Sequence, residues 1–293
     1  MIYDIRHITT YRYDSQASSA ALALRLLPRD DVGQRVLETR VTVTPQPVEQ
    51  NEDSDFFGNN LTFVRIDRPH KDLRVEAVSR VQVERDAPVA PALTPSWETI
   101  RAAAASASSL SRTCPANFLY PSRIVSLHEP ATVYAAKSFT RERPVLEAAI
   151  DLMGRVKRDF VYDQDATAVS TTVPEAFERR RGVCQDFAHV MISGMRGLGL
   201  PACYVSGYIR TTPPEGAPRL EGADASHAWV GVWSGPEFGW IGLDPTNDLV
   251  VGDDHIVLAF GRDYADVSPT SGVFVGSGAN DLSVSVDVRP HDE

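Results

Sequence analysis

One cysteine has the surroundings that nucleophilic catalysis by a thiol requires. Cys184 follows Gly182 and Val183, and a helical pattern of apolar residues starts directly after it. At a helix start, unpaired N–H groups and the positive end of the helix dipole stabilise a thiolate, which is the nucleophilic form of cysteine. The same N–H groups can donate to the oxyanion that develops at an attacked carbonyl. The position of Cys184 therefore predicts an activated thiol.

The other two cysteines lack such surroundings. Cys203 alternates with its neighbours in a predicted strand, which is typical of a small buried hydrophobic residue. Cys114 lies in a polar loop before Pro115, where no neighbouring feature activates it. The three cysteines are far apart and form no C-x-x-C pair, so the sequence indicates neither a zinc motif nor a redox motif. We expect no metal and no cofactor.

A histidine and an aspartate are predicted to meet on a hairpin. Two short strands flank the turn 234–239, and pairing Trp233 with Trp240 across it makes Asp244 the diagonal, same-face neighbour of His227. A bulge would bring the two side chains closer. The histidine would act first as base and then as acid, while the carboxylate would fix its tautomer and favour the imidazolium.

Two other residues could in principle take these places. Asp248 is the alternative carboxylate, because it lies on the opposite diagonal from Asp244. His189 is closer to Cys184 in sequence, but five residues along a helix rotate it about 140° away, so we interpret it as a surface or packing histidine.

Three polar residues near the cysteine have structural as well as functional interpretations. Gln185 could point towards a substrate amide, and the hydroxyl of Tyr162 could donate to an oxyanion. Polar residues are common in a first helical turn, however, and a tyrosine is often an aromatic residue with a hydrated tip. We interpret Asp186 mainly as a carboxylate that stabilises the N–H groups of the helix start.

The pattern of residue types divides the chain into three parts. Residues 1–86 alternate with period two, most clearly from Leu73 to Val83, which predicts an all-β, sandwich-like N-terminal domain. Prolines after residue 86 indicate a break, so 87–143 are expected to contain a linker and helices. Residues 144–293 are expected to form an α+β core, with an antiparallel sheet packed on helices and further strands at the C terminus.

The core shows clear boundary signals. Pro144 is followed by helical spacing, and Thr172 with Glu175 resembles a capping box. The helix from Cys184 carries one apolar stripe and ends near Gly199, after which a strand is predicted over 203–209.

Three segments together resemble the core motifs of the transglutaminase-like superfamily. These are Gly182-Val183-Cys184-Gln185-Asp186-Phe187-Ala188, Ser226-His227-Ala228-Trp229 and Gly242-Leu243-Asp244-Pro245-Thr246-Asn247. Their order and spacing are compatible with that family. Residues 3–13, 57–59 and 68–70 resemble the N-terminal β region of bacterial members, and 261–267 resemble their C-terminal segment. The resemblance implies a papain-like core in which Cys184, His227 and Asp244 correspond to a catalytic triad that works through an acyl-thioester.

Composition narrows the expected function. The 293 residues have a net charge of −10 and a pI of about 5.2, which argues against nucleic acid as a partner. No stretch approaches the roughly 20 apolar residues of a membrane span, and the first residues lack the layout of a secretory signal, so we expect a cytoplasmic protein that does not bind membranes. The oligomeric state stays open.

The expected substrate is a peptide or protein with an amide bond, and hydrolysis is favoured over transfer to an amine. Cross-linking through protein glutamine is the alternative within the same chemistry. A non-catalytic binding protein that keeps the core is the alternative from another class. The segment 213–222, rich in glycine and proline, is expected to be a loop that could cover the site before His227.

Overall fold

The computed structural model describes residues 1–211 and 225–291, and these ranges contain fifteen strands, six α-helices and two short 3-10 helices. The strands are β1 (Ile2–Ala17), β2 (Ser19–Leu24), β3 (Gln34–Thr44), β4 (Glu49–Ser54), β5 (Asn60–Ile66), β6 (His70–Val83), β7 (Val161–Tyr162), β8 (Arg181–Gly182), β9 (Ala202–Ile209), β10 (Ala225–Trp233), β11 (Trp240–Asp244), β12 (Leu249–Val250), β13 (His255–Gly261), β14 (Thr270–Val275) and β15 (Asn280–Pro290). The helices are α1 (Trp97–Ala105), α2 (Glu129–Ala136), α3 (Val145–Asp159), α4 (Val173–Arg179), α5 (Cys184–Gly197) and α6 (Tyr264–Val267). The loop expected to cover the site falls outside the described residues.

Two antiparallel four-stranded sheets form the β region, with strand orders β15-β1-β6-β3 and β14-β2-β5-β4. Alternate residues of β6 from Leu73 to Val83 are buried, as the period-two pattern predicts. Leu24 and Ile66 of one sheet share a buried apolar cluster with Val43 and Val75 of the other. The two sheets therefore pack face to face, and the expected sandwich-like N-terminal unit is present.

The C-terminal strands differ from the expectation, because they extend this β unit and not the core. β15 pairs with β1 from Tyr3–Pro290 to Tyr13–Asn280, and β14 pairs with β2. Without them, β1 and β2 would present open sheet edges with unpaired N–H and C=O groups. The alternation of a strand identifies the strand but not the edge to which it adds, so the sequence could not place β14 and β15.

The core is an α+β unit built on one antiparallel sheet of order β12-β11-β10-β9-β13. Helix α5 packs on β9 and β10, and its residues from Gln185 to Arg196 are buried. The sequence predicts a helix with one apolar stripe, but α5 is covered on all sides. Its polar residues tolerate this burial because they have partners: the Arg196 guanidinium, for example, donates to the carbonyls of Phe118, Ala202 and Arg262.

Side-chain amides join the β unit to the core along the edge strand β13. Gln34 donates to the Val257 carbonyl at 2.8 Å and accepts from the Val257 N–H at 2.8 Å. Asn59 forms the same two-bond pair with Phe260, at 2.9 and 3.0 Å. Each amide thus replaces one residue of a neighbouring strand and satisfies backbone groups that an edge strand would otherwise expose.

Within the ranges that the structure describes, none of the helices combines the length and the apolar character needed to traverse a bilayer.

Candidate active site

The local fold places Cys184 at the first residue of α5. Val183 before it has extended backbone angles, so the chain enters the helix directly at the cysteine. The short parallel pair of β7 and β8 holds the preceding segment, since Tyr162 pairs with Gly182. Cys184 is half-buried, in contrast to the buried Cys114 and Cys203. The first N–H groups of a helix have no partners inside it, so the thiol lies where a negative charge is stabilised.

Asp186 caps the start of α5 with its carboxylate. Its carboxylate accepts from the Val183 N–H at 2.8 Å and from the Thr167 hydroxyl at 2.7 Å. Burial raises the pKa of this carboxyl, and these two hydrogen bonds partly oppose the rise. The side chain lies against Gly182, where an added Cβ would come within 2.4 Å of the carboxylate oxygen. The interpretation of Asp186 as a helix N-terminal carboxylate agrees with these contacts.

His227 and Asp244 meet through the hairpin that the sequence predicts. β10 and β11 pair Trp233 with Trp240 and Val230 with Leu243, which is the expected register. The His227 Nε2 lies 2.8 Å from the Asp244 Oδ2, and both side chains are buried.

The Cys184 side chain is close enough to the His227 imidazole to raise its pKa. An ionised carboxylate only accepts hydrogen bonds, so Nε2 carries the proton donated to Asp244. The other ring nitrogen, Nδ1, is then left to accept the thiol proton. His227 therefore connects the thiol to the carboxylate.

Asp244 has a dense set of hydrogen-bond donors, although it is fully buried. Its Oδ1 accepts from the backbone N–H groups of Thr246 at 2.9 Å and Asn247 at 3.2 Å. Its Oδ2 accepts from the side chains of Asn247 at 2.7 Å, His227 at 2.8 Å and His255 at 3.3 Å. Burial alone would raise the pKa of Asp244, but these donors hold it well below its usual range.

The electrostatics of His227 follow from the same contacts. Burial disfavours the imidazolium, but hydrogen bonds and charge from Asp244 and Cys184 outweigh burial and raise the pKa of His227 to about 9. A histidine with these partners can take a proton from a thiol and stay charged beside the resulting thiolate. The arrangement can thus perform nucleophilic chemistry with general acid and base assistance.

Sequence reasoning missed two of the residues around Asp244. Asn247 ends the third motif segment, and an Asn three residues after an Asp in a turn is a pattern that indicates a contact between them. No sequence pattern indicates that His255 contacts Asp244, because this contact depends on how β13 is placed in the sheet. His227, Asp244 and His255 also offer three ligand atoms within 4.8 Å of one another. The hydrogen bonds of both histidines to Asp244 account for this proximity.

The remaining predicted residues lie as follows. The Gln185 amide donates to the Val169 carbonyl at 3.1 Å, so it is directed to a loop. Tyr162 is 45% exposed and its ring packs edge-on against Phe187. The oxyanion role of Tyr162 and the substrate contact of Gln185 stay predictions.

The two rival residues lie elsewhere. An added Cβ at Gly154 of α3 would meet the Asp248 carboxylate at 3.3 Å, so Asp248 faces α3. His189 is a buried packing residue, not a surface one: its Nε2 accepts from the Tyr264 N–H at 3.3 Å and its ring packs on Tyr204.

Comparison with known families agrees with this fold. Residues 3–82 match the model of the bacterial transglutaminase-like N-terminal region, and residues 133–245 match the model of the transglutaminase-like superfamily. An uncharacterized protein of Mycobacterium tuberculosis is 39% identical over 296 residues, which cover 98% of this chain and 92% of that protein. An uncharacterized protein of Mycobacterium leprae is 32% identical over 288 residues, which cover 96% of each chain. The chain belongs to the transglutaminase-like superfamily.

Two further similarities are narrower in what they support. A crystal structure of a candidate cysteine protease from Cytophaga hutchinsonii has a TM-score of 0.76 and 22% sequence identity, and the match covers 100% of this chain and 91% of that one. It supports the fold. A protein-glutamine gamma-glutamyltransferase of Pseudomonas aeruginosa is 39% identical over 71 residues, which are 24% of this chain and 10% of that protein. That likeness is local.

Proposed function

We propose that this protein is a cysteine-dependent acyl-transfer enzyme that hydrolyses peptide or amide bonds of a peptide or protein substrate through a thioester on Cys184. The observation that carries the proposal is the placement of His227, which donates to Asp244 at 2.8 Å and lies close enough to Cys184 for the thiol to raise its pKa. A packing histidine would need neither partner.

The proposed reaction has two steps. His227 takes the thiol proton while the sulfur of Cys184 bonds to the substrate carbonyl carbon, and the N–H groups at the start of α5 stabilise the oxyanion. The C–N bond then breaks, the amine leaves with the proton from His227, and an acyl-thioester remains. Water attacks the thioester with His227 as base, which releases the acid and restores the thiol. Asp244 stays ionised and stabilises the imidazolium in both steps.

Transfer to an amine is the second candidate. The local similarity to a protein-glutamine gamma-glutamyltransferase favours it, and it would replace water by an amine in the second step only. Hydrolysis is preferred because an amine must outcompete water at roughly 55 M, which requires a site that holds the amine in place. Product analysis of a glutaminyl peptide with and without an added amine distinguishes the two, with Cys184→Ala as the control.

The activated thiol is tested by alkylation with limiting iodoacetamide at pH 6, followed by peptide mass spectrometry. Cys114 and Cys203 are buried, so a short unfolded peptide containing Gly-Val-Cys-Gln-Asp is the standard for an ordinary exposed thiol. We expect Cys184 to react about 10-fold faster than the peptide or more. If it reacts no faster, the thiol is not activated, and a binding protein that keeps the core becomes the better explanation.

A further inference from the structure

We propose that His255 is a positioning residue for Asp244, and that the N-terminal β unit holds His255 in place through Arg85. This inference rests on the proposed function of the Cys184–His227 pair, since it concerns the group that orients His227.

The hydrogen bonds of His255 fix its tautomer. The Gly252 N–H donates to the His255 Nδ1 at 3.4 Å, so that nitrogen accepts. The proton is therefore on Nε2, which donates to the Asp244 Oδ2 at 3.3 Å. The ring is buried and packs edge-on against Trp229, with 5.3 Å between centroids. Both nitrogens have assigned roles, and one of them points at Asp244.

The His255 Nε2 is one of three side-chain donors to the Asp244 Oδ2, together with Asn247 and His227. Asn247 is three residues from Asp244 and moves with its turn, whereas His227 and His255 come from β10 and β13. Two imidazoles from different strands therefore fix the direction of the Oδ2. Among the described contacts, the titratable side chains that face the His255 ring are Asp244 and His227. Loss of His255 would let the carboxylate turn away from His227 and would remove one of the donors that keep it ionised.

The turn that carries His255 is held by the N-terminal unit. Arg85, just after β6, donates to the carbonyls of His255 at 2.8 Å and Gly252 at 3.2 Å. Its own backbone N–H donates to the Asp253 carboxylate at 3.0 Å. The guanidinium thus spans the turn 252–255, and its planar donors fit two carbonyls at once.

The test measures the rate of Cys184 alkylation against pH in His255→Phe, which keeps a ring against Trp229, and in His255→Gln, which keeps a side-chain donor. We expect the rate profile of His255→Phe to move to higher pH by about 0.5–1 unit, because Asp244 supports the imidazolium less well. His255→Gln should recover at least half of that shift. His189→Phe is the control, a buried histidine outside this network, and should leave the profile in place.

A folded His255→Phe variant with the wild-type profile would overturn the positioning role, and so would equal shifts in His255→Phe and His189→Phe. Failure of the proposed function is a separate result, because wild-type Cys184 would then react no faster than the unfolded peptide. Thermal unfolding and near-UV circular dichroism establish that each variant is folded.

Two measurements keep the proposal falsifiable if His255→Phe does not fold. Nitrogen-15 NMR of the wild-type protein should find the His255 proton on Nε2, and a proton on Nδ1 alone would overturn the proposal. Arg85→Gln should shift the alkylation profile in the same direction as His255→Phe but by less. No shift in a folded Arg85→Gln variant would overturn the part assigned to the N-terminal unit.

Discussion

His227 and His189 are two buried histidines of the same core, yet their electrostatics are opposite. The His227 side chain contacts a carboxylate and a thiol, and its pKa is raised to about 9. His189 packs on Tyr204 and accepts from a backbone N–H, and burial lowers its pKa to about 4. Burial favours the uncharged ring at both positions. The difference is a carboxylate in direct contact.

This difference separates the proposed catalytic histidine from a packing one by its partners and not by its exposure. His189 is only five residues from Cys184 on α5, whereas His227 comes from a strand 43 residues further along. The direct contact of His227 with Asp244 and the nearby Cys184 side chain, and not closeness to Cys184 in sequence, raise the pKa of His227. Substitutions of the two histidines are therefore expected to have effects that differ in sign or in size.

The largest expected effect is on the reactivity of Cys184. His227→Ala should slow alkylation at pH 6 about 100-fold or more, because the thiol loses its proton acceptor and the thiolate loses its counter-charge. His189→Ala should change the rate less than about twofold. The measurement is the pseudo-first-order rate of labelling at Cys184 by mass spectrometry. Equal effects from the two variants would mean that the partner assigned to the thiol is wrong.

The second effect is on stability: His189 and His227 should make it depend on pH in opposite directions. The folded-state pKa of His189 lies below the ordinary 6.5, so the unfolded chain binds the proton more readily and stability falls as pH drops from about 6.5 to about 4. The folded-state pKa of His227 lies above 6.5, so its contribution is complete below 6.5 and is lost as pH rises to about 9. Each of these two pKa shifts corresponds to about 3 kcal/mol in the free energy of unfolding.

Urea unfolding across pH 4.5–9 checks these windows. His189→Gln should flatten the acid side, and His227→Gln should flatten the alkaline side. His7 is also buried with its pKa lowered to about 4, so part of the acid loss should persist in His189→Gln and should become smaller in the double variant His7→Gln/His189→Gln. A His189→Gln variant that flattens the alkaline side would contradict the assignment.

The third effect concerns the carboxylate that distinguishes the two sites. Asp244→Asn should lower the pKa of His227 by about 2 units or more, because burial remains while the negative charge is lost. NMR titration of the histidine ring signals measures this. Asp248→Asn is the matched control, since Asp248 faces Gly154, and it should leave the pKa of His227 unchanged. If Asp248→Asn has the larger effect, the carboxylate is wrongly identified.

Much of this fold and of its proposed site follows from local sequence patterns. The hairpin register that joins His227 to Asp244, the helix start at Cys184 and the capping box of Thr172 and Glu175 depend on neighbouring residues, and the structure confirms each of them. Short-range periodicity and capping determine such features.

What the sequence could not predict depends on distant contacts. The pairing of β14 and β15 with the N-terminal strands requires knowing which sheet edges are open. The approach of His255 to Asp244 requires the placement of β13 at the far side of the sheet. The direction of the Gln185 amide depends on the course of the loop near Val169. Composition and spacing carry no information about these distances.

A smaller effect on stability is expected at Gly182, which contacts the Asp186 carboxylate at the start of α5. Gly182→Ala would place a Cβ within 2.4 Å of the Asp186 carboxylate, which must then give up its bond to the Val183 N–H. We expect a loss of about 1–2 kcal/mol in the free energy of unfolding, comparable to loss of a helix cap. Gly252→Ala is the control, because nothing lies within 4 Å of its added Cβ. Equal losses in the two variants would mean that the contact between Gly182 and Asp186 is not required.

The smallest expected effect distinguishes a loop anchor from a substrate contact at Gln185. Removal of its hydrogen bond to the Val169 carbonyl should cost about 0.5–1.5 kcal/mol of stability in Gln185→Ala. Alkylation of Cys184 by a small reagent should change less than about twofold, because the amide donates to the Val169 carbonyl. Gln185→Glu keeps the length but replaces the donor by an acceptor, so it should lose stability at least as strongly. If both variants keep wild-type stability while hydrolysis of a peptide substrate falls, Gln185 contacts the substrate and the loop contact is secondary.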